Sequence, residues 1–173
     1  MLTPQQERWI NSLSNVKNIK ILPFDTESDK KFDRVKEQIQ FVLGTETKVV
    51  HKGATSLGIS GQGELDIYVP VSPEKFDVMV TNLEKIFGKP GSLYPLERAR
   101  FVHSVDETKV EVFVINEQGE GWLDSEKFEG YLRSHPKALE EYKILKEAGH
   151  GLTVREYYRR KIEFINNILS KAV

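Results

Sequence analysis

Residues 64–71 read Glu-Leu-Asp-Ile-Tyr-Val-Pro-Val, and this stretch decides the fold. Successive side chains of a β-strand point to opposite faces, so Leu65 and Ile67 would enter a core. Glu64 and Asp66 would then share the other face. Two neighbouring carboxylates repel each other unless a cation lies between them, and Mg²⁺ prefers carboxylates together with substrate phosphates. The stretch therefore predicts a strand that carries a divalent-metal site.

A third acid lies on a later β-rich run, residues 109–115, in which valines alternate with other residues. The valines would face the core, and Glu111 would lie on the opposite face. If this strand neighbours the first, Glu111 joins Glu64 and Asp66 in a cluster that could hold two metal ions about 3.5–4 Å apart. The alternative is that the two glutamates are solvated residues on the open face of an antiparallel sheet.

A glycine and small hydroxyl residues precede the first acidic strand, in the stretch His-Lys-Gly-Ala-Thr-Ser at residues 51–56. Thr55 and Ser56 are expected to cap a short helix, where free backbone N–H groups favour an anion. Gly53 would allow these N–H groups to approach a phosphate closely. An ordinary turn would use the same residues, and it is the spacing to Glu64 and Asp66 that favours a phosphate site.

Several cations lie on neighbouring predicted segments, and they have two possible roles. Lys52 and Arg100 are candidates to neutralise phosphate charge, Arg100 through a bidentate fork, and Arg98 and Lys109 are further possibilities. Each could instead form an ion pair with a surface acid. The sequence alone leaves both readings open.

The composition excludes several function classes. The chain has 173 residues, of which 39% are hydrophobic and 29% charged, as in an ordinary globular protein. Its formal net charge of -1 gives no overall field that would recruit nucleic acid. It has no cysteine, which excludes disulfides, thiolate zinc sites and a cysteine nucleophile. With no signal-like start and no apolar run of about 20 residues, a cytoplasmic location without membrane contact is expected.

Hydrophobic periodicity and turn residues predict an alternation of helices and strands, followed by a helical tail. The predicted helices cover residues 3–13, 28–44, 72–88, 125–133, 136–148 and 153–170. The predicted strands cover 47–52, 64–71, 98–105 and 109–115, whereas 90–95 and 116–121 are predicted as loops. This order is typical of an α+β fold, a small mixed β-sheet flanked by helices with a helical C-terminal segment. We expect an N-terminal helix and linker over 1–27, a core over 28–122 and a helical part over 123–173.

With these motifs the chain resembles the GrpB family of the nucleotidyltransferase superfamily, a module also fused to some dephospho-CoA kinases. The resemblance covers about residues 28–170. The sequence at 51–56 is similar to the family's His-x-Gly-Ser-Thr-Ser, and 64–67 lies at its Pro-Ile-Ile-Asp position. The stretch Phe-Glu-Gly-Tyr-Leu-Arg-Ser-His-Pro at 128–136, with the tyrosine, leucine and lysine that follow, is the most specific element. A Tyr-x-x-Lys-x-x-Phe-Ile pattern at 158–165 resembles the family's terminal helix.

Three departures from the family pattern bear on the site. Ala54 replaces the serine that usually follows the glycine, so one phosphate-facing hydroxyl is missing. Glu64 stands where the family commonly has an apolar residue, and Glu111 stands where it often has histidine. The resemblance implies a nucleotidyltransferase-like fold, and the two extra acids bring the chain closer to the superfamily's catalytic pattern.

The leading hypothesis is a nucleotidyltransferase that uses Mg²⁺ or Mn²⁺ to transfer a nucleoside monophosphate from a nucleoside triphosphate (NTP). Glu64, Asp66 and Glu111 would be the catalytic and metal-binding residues. The nucleotide would be held by Lys52, Gly53, Thr55, Ser56 and Arg100. Its partners would be the nucleotide and an unidentified acceptor, a small molecule or a macromolecule, and the oligomeric state is left open. The alternatives are a non-catalytic module that binds a nucleotide or phosphorylated ligand, and an interaction domain with a vestigial site.

Overall fold

A computed structural model describes residues 1–172 of the chain, which form seven α-helices and one sheet of five strands. The helices are α1 Pro4–Ser12, α2 Ser28–Leu43, α3 Gly53–Ser56, α4 Phe76–Phe87, α5 Glu120–Ser134, α6 Pro136–Glu147 and α7 Val154–Leu169, with a 3₁₀ turn at Pro73–Lys75. The strands are β1 Val50–Lys52, β2 Glu64–Val71, β3 Ser92–Tyr94, β4 Arg98–Val105 and β5 Thr108–Asn116. None of the helices in this part of the chain is long and apolar enough to cross a bilayer.

The sheet is mixed, and its strands lie in the order β1-β2-β5-β4-β3. β2 and β5 are parallel and central, whereas the other neighbouring pairs are antiparallel. The connection from β2 to β5 passes through α4 and the β3–β4 ribbon. This topology brings the two acid-bearing strands side by side although 45 residues separate Glu64 from Lys109, its partner in the register.

One face of the sheet forms the hydrophobic core. Leu65, Ile67 and Val69 of β2 are fully buried, as are the alternating valines of β5. Val35 and Ile39 of α2 pack against this face, together with apolar residues of α4. Because side chains alternate along a strand, burial of these residues turns Glu64, Asp66 and Glu111 to the opposite face. The predicted α+β class, a small mixed sheet flanked by helices with a helical C-terminal segment, is confirmed.

The chain divides into two compact units. One comprises residues Phe24–Ile59 and Gly63–Leu123 and contains the whole sheet. The other comprises Met1–Pro23, Ser60–Gln62 and the residues from Asp124 onward. The expected division into 1–27, 28–122 and 123–173 remains a prediction about which parts fold as units.

The helical unit has its own packing and ion pairs. Arg159 of α7 donates two hydrogen bonds to the Glu7 carboxylate, at 2.9 and 3.0 Å. These bonds lower the pKa of Glu7 below its usual value. Tyr142 of α6 stacks on Phe164 of α7 with ring centroids 5.3 Å apart. Helices α6 and α7 therefore pack against each other through a stacked aromatic pair.

Three predicted boundaries were wrong. Residues 90–95 are not all loop, because β3 pairs there with β4, Leu93 lying opposite Ala99. The 47–52 strand is shorter than predicted, since only Val50–Lys52 pairs with β2. α5 begins at Glu120 instead of residue 125, within the predicted 116–121 loop. There the Asn116 side chain accepts a hydrogen bond from the Gln118 N–H, which forms the turn that leads into the helix.

Candidate metal and nucleotide site

The register of the central strands places the three acids together on the face opposite the core. Asp66 lies directly opposite Glu111, and Glu64 lies directly opposite Lys109. On the other side of β2, Lys52 of β1 lies opposite Asp66. Directly opposed residues on adjacent strands point to the same face. The site is therefore built by the β1, β2 and β5 backbones, and it does not depend on a mobile loop.

The carboxylates are close enough to share a cation. Each of Glu64, Asp66 and Glu111 offers one oxygen, and these three oxygens lie within 4.8 Å of one another. Glu111 is buried, with 8% of its surface exposed, whereas the other two are half-buried. Three convergent carboxylate oxygens are a hard donor set, the kind that Mg²⁺ and Mn²⁺ accept. The residues present thus fit the expected metal.

Two basic side chains contact the acids directly. The Lys109 ammonium lies 2.7 Å from Glu64 Oε1 and 2.7 Å from Glu111 Oε1. Arg100 Nη1 lies 3.2 Å from the same Glu111 oxygen. Burial opposes the charge of Lys109, but the hydrogen bonds to Glu111 and Glu64 outweigh it and raise its pKa above the usual value. Both Lys109 and Arg100 therefore form ion pairs with acids, which is one of the two roles that the sequence left open for them.

Arg100 also has a donor that is not used within the described part of the chain. Its Nε is buried and has no hydrogen-bond partner there. A buried donor without an acceptor is unfavourable, and an oxygen of a bound phosphate would satisfy it. The ion pair with Glu111 and a contact with an anion are thus compatible for this one side chain.

The glycine segment lies against the acids. Gly53 has φ +77°, and a Cβ placed there would be 2.3 Å from Asp66 Oδ2, so a side chain at this position would strain the backbone and displace the Asp66 carboxylate. The expectation that Thr55 and Ser56 cap the short helix was wrong, because α3 begins at Gly53 and both residues lie inside it. α3 starts at Gly53, which has a left-handed backbone and directly follows β1. The N-cap position is therefore occupied by Lys52, the last residue of β1.

The hydroxyls of α3 have partners within the segment. Thr55 Oγ1 lies 2.8 Å from His51 Nε2, and Ser56 donates to the Gly53 carbonyl at 3.1 Å. The other ring nitrogen of His51, Nδ1, lies 3.4 Å from Asp29 Oδ1. The His51 ring also stacks on Phe32 with centroids 4.9 Å apart. These contacts fix the position of the Thr55 hydroxyl beside the strand that carries Lys52.

Sequence reasoning missed an aromatic residue near the basic end of β1. Trp122 is buried, with 5% of its surface exposed, and it lies at the start of α5. The ammonium groups of Lys48 and Lys52 lie 5.0 and 5.1 Å from its ring centroid. Lys52 is itself 4% exposed, so its ammonium is held against the ring. No periodic pattern marks Trp122, because it lies just beyond the glycine-rich 116–121 stretch.

Comparisons with known proteins agree with the resemblance. The model of the GrpB protein family matches residues 18–171. The glutamate-rich protein GrpB of Alkalihalophilus pseudofirmus is 28% identical over 155 residues, which cover 81% of this chain and 87% of that protein. The crystal structure of the conserved protein GrpB from Enterococcus faecalis superposes with a TM-score of 0.70 at 22% identity, covering 88% of this chain and 96% of that one.

A weaker likeness is to Leishmania infantum polymerase beta in a ternary complex. The TM-score is 0.41 at 12% identity, over 80% of this chain and 63% of the polymerase. At that score the likeness does not bear on the site. The family model matches most of the chain, and the chain therefore belongs to the GrpB family.

Proposed function

We propose that this protein is a GrpB-like nucleotidyltransferase, which transfers a nucleoside monophosphate from an NTP to an acceptor in a Mg²⁺-dependent reaction in the cytoplasm. The observation that supports it best is the convergence of Glu64, Asp66 and Glu111 on one sheet face, with three oxygens within 4.8 Å. Fold alone would not support an activity, since one fold hosts many functions. The proposal depends on the three carboxylates and on the glycine and basic residues that lie beside them.

Asp66 and Glu64 would share a Mg²⁺ or Mn²⁺ ion, and Glu111 would complete the metal site or accept the proton of the acceptor hydroxyl. When bound, the metal would supply positive charge that offsets the negative charge developing on the phosphates during transfer. The acceptor oxygen would bond to the α-phosphorus, and pyrophosphate would leave. Glu111 is buried, and its two basic partners, Lys109 and Arg100, hold its carboxylate on the same face as those of Glu64 and Asp66.

The triphosphate would lie along the β1–α3 junction. The backbone of Gly53 approaches Asp66 closely because it has no side chain there. Gly53, Thr55 and Ser56 would bind the β- and γ-phosphates, and Lys52 and Arg100 would offset their charge. The unused Nε of Arg100 supports an anion on this side of the sheet.

A second candidate is a non-catalytic module that binds a nucleotide or a phosphorylated ligand. Two observations favour it: Ala54 stands where the family has serine, and Lys109 already pairs with two of the acids. In that case the basic residues would bind the ligand, and the acids would serve mainly to hold those residues in place.

The two candidates differ in whether pyrophosphate is released. The protein would be incubated with each labelled NTP and Mg²⁺, with and without a panel of hydroxyl acceptors, and pyrophosphate would be measured. The proposal predicts release by the wild type and by Asp33→Asn, an exposed carboxylate on α2, but not by Asp66→Asn. If all three proteins bind NTP equally and none releases pyrophosphate, the binding module is the better description.

A further inference from the structure

Lys109 occupies the space between two of the three acids. It lies opposite Glu64 in the β2–β5 register, two residues before Glu111 on β5. Its ammonium contacts one oxygen of Glu64 and one of Glu111, each at 2.7 Å. This is the bridging arrangement that a second divalent ion would have in a two-ion site.

A second ion on Glu111 would meet strong repulsion. An ion bound to Glu111 Oε1 at about 2.1 Å would lie within about 4.8 Å of the Lys109 ammonium, which is 2.7 Å from that oxygen. Arg100 contacts the same oxygen at 3.2 Å. Solvent would screen this repulsion only in part, because the Glu111 side chain is 10% exposed, although those of Lys109 and Arg100 are 45% and 37% exposed.

The charge balance agrees with this. Three carboxylates carry −3, and Lys109, Arg100 and Lys52, which lies opposite Asp66, carry +3, so the group is neutral. One divalent ion brings the total to +2, whereas two would bring it to +4 before any nucleotide binds. If the Lys109 side chain moved into solvent, the Glu111 carboxylate would lose one of its two basic partners and keep Arg100. This would be unfavourable, because Glu111 is only 8% exposed.

The geometry points to a site for one divalent ion, centred on Asp66 and Glu64, in which the Lys109 ammonium takes the place of a second ion. This inference rests on the proposed function, since it concerns how the same acids are used. Lys109 is then a built-in cation that sets the metal stoichiometry. The Arg100 guanidinium contacts the same Glu111 oxygen as the ammonium does, at 3.2 Å.

The test is a titration of the full chain with MnCl₂ alone, followed by electron paramagnetic resonance of free and bound Mn²⁺. The wild type is expected to bind one Mn²⁺ with an uncoupled signal. Lys109→Met removes the charge while retaining most of the length of the side chain. It is expected to bind two Mn²⁺ ions with the exchange-coupled signal of ions about 3.5–4 Å apart.

Lys85→Met is the matched control, because Lys85 is exposed on α4, which packs on the opposite face of the sheet. It removes the same charge and is expected to bind one ion, as the wild type does. Lys109→Gln serves as a second variant if Lys109→Met does not fold, as judged by circular dichroism.

Each other outcome overturns the inference. Two coupled ions in the wild type would mean that Lys109 is displaced by metal, while the metal-dependent function would stand. One ion in the wild type and in both Lys109 variants would mean that the ammonium does not set the stoichiometry, again without affecting the proposed function. No Mn²⁺ bound by any of the proteins would overturn both the inference and the metal-dependent function.

Discussion

Asp66 on β2 and Glu111 on β5 lie directly opposite each other on adjacent parallel strands, on the face turned away from the core. Opposed acids on adjacent strands destabilise a sheet unless cations accompany them. Here Lys109 and Arg100 contact Glu111, and the register places Lys52 opposite Asp66. The acids and bases of this face therefore form one coupled group, and changes in it should alter both stability and ligand binding.

Glu111→Gln should lower both the stability and the metal affinity. The amide keeps the volume but removes the charge that pairs with Lys109 and Arg100. We expect a loss of about 1–2 kcal/mol in the free energy of unfolding, measured by urea denaturation. Mn²⁺ affinity should fall by roughly 10–100-fold, as for changes around other metal sites. Unchanged Mn²⁺ affinity would show that Glu111 takes no part in the site.

Gly53→Ala tests the close approach of α3 to Asp66. The φ of +77° costs a non-glycine residue about 1–2 kcal/mol, and the new Cβ would also collide with Asp66 Oδ2. Gly58→Ala is the matched control, because its φ is +70° but its Cβ would meet nothing within 4 Å. Both variants should have a lower melting temperature, but only Gly53→Ala should also bind Mn²⁺ less tightly. Equal Mn²⁺ binding by the two variants would contradict the role of this contact.

Thr55→Val removes the hydroxyl that contacts His51 at 2.8 Å. If this hydroxyl also binds a phosphate, NTP affinity should fall by roughly 0.5–1.5 kcal/mol in calorimetry. Thr55→Ser retains the hydroxyl and should bind as the wild type does. Mn²⁺ binding in the absence of nucleotide should be the same in all three proteins. A wild-type NTP affinity in Thr55→Val would remove Thr55 from the phosphate site.

The ion pair between Asp25 and Lys31 should make stability depend on pH in the acid range. Lys31 Nζ lies 2.5 Å from the Asp25 carboxylate, which also accepts the Glu27 N–H. The hydrogen bond from Lys31, and then that from the backbone, lower the pKa of Asp25 below its usual 3.8. A lowered pKa contributes stability that is present above pH 3.8 and is lost as the pH falls through the folded-state pKa.

Asp25→Asn should therefore be less stable than the wild type at pH 7, by no more than about 1 kcal/mol. The difference should shrink as the pH is lowered below 3.8. Thermal melts from pH 7 to pH 2 on the wild type, Asp25→Asn and the exposed control Asp33→Asn would measure it. A difference that grows toward low pH would contradict the assigned sign.

Much of the fold was predictable because core-facing apolar residues clearly alternate with other residues in its central strands. The 64–71 strand is confirmed at both ends, and helix α2 was predicted to within a residue, with Gly44 at its C-cap and Glu27 at its N-cap position. β3 was missed because three residues with exposed Leu93 and Tyr94 have no period to detect. Its existence depends on pairing with β4, which is a tertiary property.

The site was predictable in part for the same reason. Alternation assigned Glu64, Asp66 and Glu111 to the outer face, and the three do converge. The sequence did not predict that β2 and β5 are neighbours, because strands 45 residues apart in the chain leave no local signal of their pairing. Lys109 lies between Glu64 and Glu111 because of the β2–β5 register. A register shift of one residue would turn Lys109 to the other face relative to Glu64.

The central claim is that the three acids bind a hard divalent ion beside a triphosphate. The most direct measurement is a crystal structure of the protein with a nonhydrolysable NTP and Mn²⁺, using anomalous scattering to locate the metal. We predict a Mn²⁺ peak at about 2.1 Å from Asp66 oxygen, with the phosphates along Gly53 and Thr55. Nucleotide bound elsewhere, or density for the nucleotide at this face with Mn²⁺ away from all three acids, would contradict the account.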